Sequence, residues 1–215
     1  MEPITIEEAR TWYRDADPVH DFDHVLRVYR TAQHLGKLEG ADLEILQAAA
    51  LLHDSRDSAP GGETTLRKDH HITSAEFAGS VLTQKGWPKD KIHAVQHCIL
   101  AHRFRGEENP PQTLEAKILF DADKLDVLGA IGAARTIAYA ALDGQPTYAE
   151  PSDQFLQTGE KLPGEPHSSY HEFLFKLSKV KDRMFTQSGK ALAEKRHAYL
   201  LDFYQQLQRE VRGER

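Results

Sequence analysis

The sequence predicts an all-α fold, a bundle of roughly eight to ten helices. Two observations predict the helices. Apolar positions recur at i, i+3, i+4 and i+7, as in Leu46, Ala49, Ala50 and His53, which is one face of a helix. No stretch alternates apolar and polar residues for long enough to demand a strand. Gly40, Gly86-Trp87-Pro88 and Gly144 stand where the patterns stop, and glycine and proline end helices through their backbone preferences.

In chain order the helical patterns run near Thr5–Asp15, Asp21–Leu35, Ala41–His53, His71–Lys85, Lys89–His102, Thr113–Leu128 and Ala130–Leu142. Two long C-terminal helices follow. The first places Phe173, Leu174, Leu177, Val180 and Met184 on one stripe, and the second Leu200, Phe203, Leu207 and Val211. Two segments lack periodicity: Arg56–Lys68, with Pro60-Gly61-Gly62, and Gly144–Pro166, with Pro146, Pro151, Pro163 and Pro166. Connections of that length usually serve function, and the second is a candidate lid that sets substrate choice. Neither reads as a domain linker. A single domain over residues 1–215 is expected, with a helical core over about 20–142 and C-terminal helices over about 168–212 packing on it.

The chain has 215 residues, 40% hydrophobic and 28% charged, the composition of an ordinary globular protein with ample core. A net charge of -6 argues against a binder of nucleic-acid polymers, which carries a basic face. It does not argue against a small phosphorylated substrate, because a bound cation supplies positive charge locally. Cys98 is the one cysteine, so no intramolecular disulfide forms. The N-terminus lacks an apolar leader, and the longest apolar stretch, around Ile45–Leu52, is too short to span a bilayer. A cytoplasmic protein with no membrane partner is expected. Twelve histidines direct attention to metal or proton chemistry.

The pair His53-Asp54 carries most of the chemical information. His53 belongs to the apolar stripe of its helix, and Asp54 follows where that helix should end. Burying such a pair is costly unless something compensates it. A divalent cation does so, since imidazole nitrogen and carboxylate oxygen are both suitable ligands. The alternative is a core histidine beside a solvated aspartate. His24 lies on a helical stripe of its own, and Asp123 shares a stripe with Ala116, Leu119 and Phe120. Periodicity alone does not separate Asp123 from Asp121. Two imidazoles and two carboxylates make the mixed donor set that suits Mn, Fe, Zn and similar ions.

In the contexts His24-x-x-Arg27-Val28, Leu51-Leu52-His53-Asp54 and Ala122-Asp123-Lys124-Leu125, this order resembles the HD-domain metal-dependent phosphohydrolase superfamily. It is closest to the small single-domain bacterial branch, the YedJ/YpgQ-like proteins. Gly129-Ala130-Ile131-Gly132-Ala133-Ala134-Arg135 and the late run from Lys176 to Arg196 fit the same branch. The resemblance implies an all-α fold with His24, His53, Asp54 and Asp123 as metal ligands, Asp123 being preferred over Asp121 on this ground. It implies a divalent ion (Mn, Mg, Fe, Co, Ni or Zn) and ion-activated water attacking phosphorus. Asp57 matches a position where some relatives carry an acidic proton donor. Arg27 and Lys124 are candidate phosphate contacts, as is Lys176.

Other histidines have open roles. His70 and His71 begin a helix where relatives often place a histidine near the phosphate; spacing favours His70 and helical phase favours His71. His102 shares a stripe with Val95, Cys98 and Ile99, so it points inward and is a candidate substrate contact. Some two-ion relatives use histidines at such places. His93 and His97 have a zinc-like i, i+4 spacing, but no Glu follows His93, and they read as solvated helix positions.

The expected activity is hydrolysis of a nucleotide or other small phosphorylated metabolite. The leading specific expectation is a nucleoside triphosphate pyrophosphohydrolase. The alternatives are a phosphomonoesterase such as a 5′-nucleotidase and, in another class, a non-catalytic metal- or nucleotide-binding regulatory module.

Overall fold

The computed structural model describes residues 1–13, 22–56, 70–103 and 109–214. Among the described residues, ten α-helices and a 3-10 stretch make up the regular structure, with no strand. The helices are α1 Ile6–Arg10, α2 Phe22–Glu39, α3 Leu43–Leu52, α4 His70–Gln84 and α5 Lys89–Ala101. After them come α6 Leu114–Leu125, α7 Gly129–Leu142, α8 Asp153–Thr158, α9 Ser169–Phe175 and α10 Gln187–Val211. Asp57, and the Arg56–Lys68 segment beyond Arg56, lie outside the described residues. Among the described residues no single helix is long and apolar enough to cross a membrane.

The contacts divide the chain into two compact units, Met1–Asp123 with Phe185–Gly189, and Lys124–Met184 with Lys190–Arg215. In the first unit α3 is the central element, packed against α1, α2, α4 and α5. Its sequence suits that place, since every residue from Ala48 to Leu52 is buried and a helix apolar all round belongs in a core. The Asp42 carboxylate caps its start by accepting from the Glu44 and Ile45 N–H groups at 2.9 and 3.2 Å, which satisfies donors the helix leaves unpaired. α2 runs a turn beyond Leu35. It stops at Gly40, whose φ of 76° lies in the left-handed region that favours glycine; the Gly40 and Ala41 N–H groups both donate to the Gly36 carbonyl.

The second unit departs from the sequence pattern in two places. The first C-terminal helix ends at Phe175, and a 3-10 stretch, Leu177–Arg183, continues it. Leu174, Leu177 and Val180 are spaced by three, which a 3-10 turn satisfies as well as an α-turn does. The long segment before α9 also contains a helix. Ser152 caps α8, its Oγ accepting from the Phe155 N–H at 3.1 Å, and Gly159 closes it at a φ of 76°. The Glu165 carboxylate ties this segment together, accepting from the Ser152 N–H at 2.8 Å and the Leu162 N–H at 2.7 Å, and facing His171 Nε2 at 3.1 Å. Those backbone donors hold its carboxyl down at about 2.

Candidate metal centre

Six side chains from five helices converge in the first unit. His24 comes from the first turn of α2, His53 caps the C-terminus of α3, and Asp54 follows it. His70 opens α4, His102 caps α5, and Asp123 lies in the last turn of α6. Helix ends bring them together because the chain leaves each helix there and its side chains reach past the packed cylinder.

Asp54 links the two halves of the cluster. Its Oδ2 lies 3.3 Å from His53 Nε2 and 3.9 Å from His24 Nε2, and His24 Nε2 is 3.4 Å from Asp123 Oδ1. Its Oδ1 lies 3.3 Å from His70 Nε2 and 3.4 Å from His102 Nε2. The trios His24, His53, Asp123 and Asp54, His70, His102 each present donor atoms within 4.8 Å of one another. His53 Nε2 and Asp54 Oδ1 are both buried without a hydrogen-bond partner. Such orphaned atoms are costly; His53 Nε2 belongs to the first trio and Asp54 Oδ1 faces the second, and a divalent cation is a partner that either atom can accept. The donor set therefore fits a metal ion.

Backbone contacts orient two of the rings. His53 Nδ1–H donates to the Ala50 carbonyl at 2.8 Å, and His102 Nδ1–H to the Ile99 carbonyl at 2.5 Å. Each bond turns the Nε2 lone pair inward, the arrangement usual for metal-bound histidine. Electrostatics separate the groups further. Burial pulls the His53 value down, but attraction to Asp54 and Asp123 outweighs it and raises the imidazole to about 9. Burial pushes Asp54 up, yet His53, His102 and His70 together hold it well below the ordinary carboxylate range. Burial is the leading influence on His102 and keeps it below the usual imidazole value despite Asp54. The Cys98 thiol is pushed up, chiefly by burial, which removes it as a nucleophile.

Asp121, the alternative to Asp123, is occupied elsewhere. Its Oδ1 accepts from the Phe185 N–H at 2.8 Å, and its Oδ2 from the Thr186 N–H at 2.8 Å and hydroxyl at 2.6 Å. Gly189 is required beside it, because a Cβ there would lie 2.2 Å from Asp121 Oδ2. Asp121→Ala is expected to cost roughly 3 kcal/mol in urea unfolding of the metal-free protein, by stranding buried donors. Its bound metal should stay unchanged. Loss of the ion with intact stability would reassign this residue to the centre.

Of the other sequence candidates, His71 stands beside His70 with ring centroids 5.8 Å apart, outside both trios. Arg27 lies one turn after His24 on α2, and Lys124 follows Asp123 on α6; both are half-buried. Lys176 pairs with Glu172 at 2.8 Å on an exposed face. His93 is exposed, and His97 Nε2 accepts from the Gln112 N–H at 3.1 Å. A residue without a sequence signal also reaches the cluster. Arg103 Nη1 lies 2.9 Å from His70 Nδ1, and only its place directly after His102 could have drawn notice.

This fold and this cluster define a class. The HD domain family matches residues 21–128, which hold all six clustered side chains. The chain belongs to the HD domain family and is a metal-dependent phosphohydrolase. It is similar to the YpgQ protein of Bacillus subtilis (strain 168), with 33% identity over 214 residues, covering 96% of this chain and 94% of that one. The crystal structure of Bacillus subtilis YpgQ in complex with ADP matches with a TM-score of 0.72 at 30% identity, covering 98% of this chain and 100% of the other. An HD-superfamily hydrolase from Bacillus thuringiensis matches with a TM-score of 0.71 at 30% identity, over 96% of this chain and 94% of the other.

Proposed function

We propose that the chain is a nucleoside triphosphate pyrophosphohydrolase, releasing a nucleoside monophosphate and pyrophosphate. The observation that carries the metal-dependent part is the pair of orphaned buried atoms, His53 Nε2 and Asp54 Oδ1, inside a set of imidazoles and carboxylates. The nucleotide part is supported by the ADP complex of the related YpgQ.

His24, His53, Asp54 and Asp123 would hold one divalent ion, drawn from Mn, Mg, Fe, Co, Ni and Zn. When bound, the ion supplies charge neutralisation and a coordinated water of lowered pKa. The chain's own residues position the reactants. The Ala50 carbonyl fixes the His53 ring, and the low value of the Asp54 carboxyl keeps it ionised at neutral pH. Arg27, His70, His71 and Lys124 are the groups assigned to phosphate oxygens, where oriented donors stabilise charge that grows during reaction; His102 is also assigned to the substrate, which its Nε2 lone pair meets as an acceptor. Asp57 is assigned the transfer of a proton to the leaving group.

A screen of nucleoside and deoxynucleoside mono-, di- and triphosphates and sugar phosphates, with each ion in turn, tests this reading. Triphosphates are expected to give monophosphate and pyrophosphate in equal amounts. Nucleoside and inorganic phosphate from monophosphates would replace the proposal with a phosphomonoesterase. No turnover of any nucleotide would end the nucleotide reading.

A further inference from the structure

We infer that Arg103 is a positioning residue that fixes His70 as an Nε2–H donor and so limits the centre to one ion. The inference rests on the metal-dependent reading above and deepens it. A guanidinium only donates hydrogen bonds. With Arg103 Nη1 at 2.9 Å from His70 Nδ1, that ring nitrogen must present its lone pair. The neutral ring then carries its hydrogen on Nε2, which lies 3.3 Å from the acceptor Asp54 Oδ1. Arg103 therefore donates to His70 Nδ1, and the His70 Nε2–H faces Asp54 Oδ1 without closing a hydrogen bond to it.

His53 and His102 have the opposite tautomer. Their Nδ1–H groups donate to the carbonyls of Ala50 and Ile99, so in the neutral rings the Nε2 lone pairs face the cluster. Geometry alone makes Asp54, His70 and His102 a second possible ion site. Tautomer chemistry removes one of its three donors, because a nitrogen carrying hydrogen is no metal ligand. Among the described residues, an ion there would have Asp54 and His102 alone, unless Arg103 gave up its bond. His70 is thereby left as a donor to a phosphate oxygen of the substrate.

Arg103→Met removes the donor and Arg103→Lys retains one. In metal-free full-length protein, long-range proton–nitrogen spectra should show His70 (assigned by its loss in His70→Gln) as the Nε2–H tautomer. Arg103→Met should shift it toward Nδ1–H, and Arg103→Lys should restore the wild-type spectrum. Equilibrium dialysis against Mn(II) should give one ion per chain for wild type and Arg103→Lys, and a second for Arg103→Met. With nucleotide, kcat of Arg103→Met should fall roughly 10–100-fold, the range usual for groups that orient a metal site, with KM changed less than about threefold. An Nδ1–H His70 in wild type, or two ions in wild type with one lost in His70→Gln, would overturn the inference. If wild type bound no ion, the metal-dependent reading would fail, while the metal-free spectra would still decide the role of Arg103.

Discussion

Asp54→Ala is expected to abolish stoichiometric metal binding and to lower kcat/KM by at least about 10³-fold, a loss of several kcal/mol of charge stabilisation. Among the described residues Asp54 is the one side chain that faces both trios, through Oδ2 toward His53 and His24 and through Oδ1 toward His70 and His102. The fold should persist, since His53 keeps its bond to the Ala50 carbonyl and α3 keeps its buried face. Helical circular dichroism and metal content of the same sample separate loss of the site from loss of the fold. Asp54→Asn should behave similarly, because a neutral amide offsets neither the ion nor the imidazoles. Wild-type activity in either variant would remove Asp54 from the centre.

The second large effect is on pH dependence. In the metal-free chain His53 is raised to about 9, so at neutral pH it carries a proton that a metal ion must displace. Apparent affinity should fall about tenfold per pH unit below that value, or about 100-fold from pH 8 to pH 6. Calorimetry in buffers of different ionisation enthalpy should find about one proton released per ion at pH 7. Stability of the metal-free protein follows the same group. Because the folded value lies above the ordinary 6.5, the pairing with Asp54 stabilises fully below about pH 6.5 and is lost as pH rises through about 9. Melting temperature of metal-free protein should therefore drop between pH 7 and pH 10, and bound metal should flatten that drop. Affinity independent of pH between 6 and 8 would contradict proton displacement at His53.

Helices α2 to α5 were legible because their apolar stripes are long and their ends marked, whereas α1 ends at Arg10, short of the expected Thr5–Asp15. α5 begins at Lys89 after Gly86-Trp87-Pro88, as its pattern predicts, and ends at Ala101 beside the expected His102. Other features depend on contacts distant in sequence. Asp121 and Asp123 are two residues apart on one helix, and what separates them is Thr186, 65 residues beyond Asp121. His70 and His71 are adjacent, and the fold decides which one meets Asp54. The partner of Arg103 lies 33 residues away, so no local pattern reveals it. α8 has only 6 residues, too few to show a period among prolines. The 3-10 stretch was hidden because its three-residue spacing also satisfies an α-helix.

Diffraction from crystals grown with Mn(II), recorded at the manganese absorption edge, tests the metal assignment most directly. One anomalous peak is expected per chain, in contact with His24, His53, Asp54 and Asp123, with the peak lost in Asp54→Ala. A peak held by other side chains, or none at this cluster at saturating Mn(II), would contradict it.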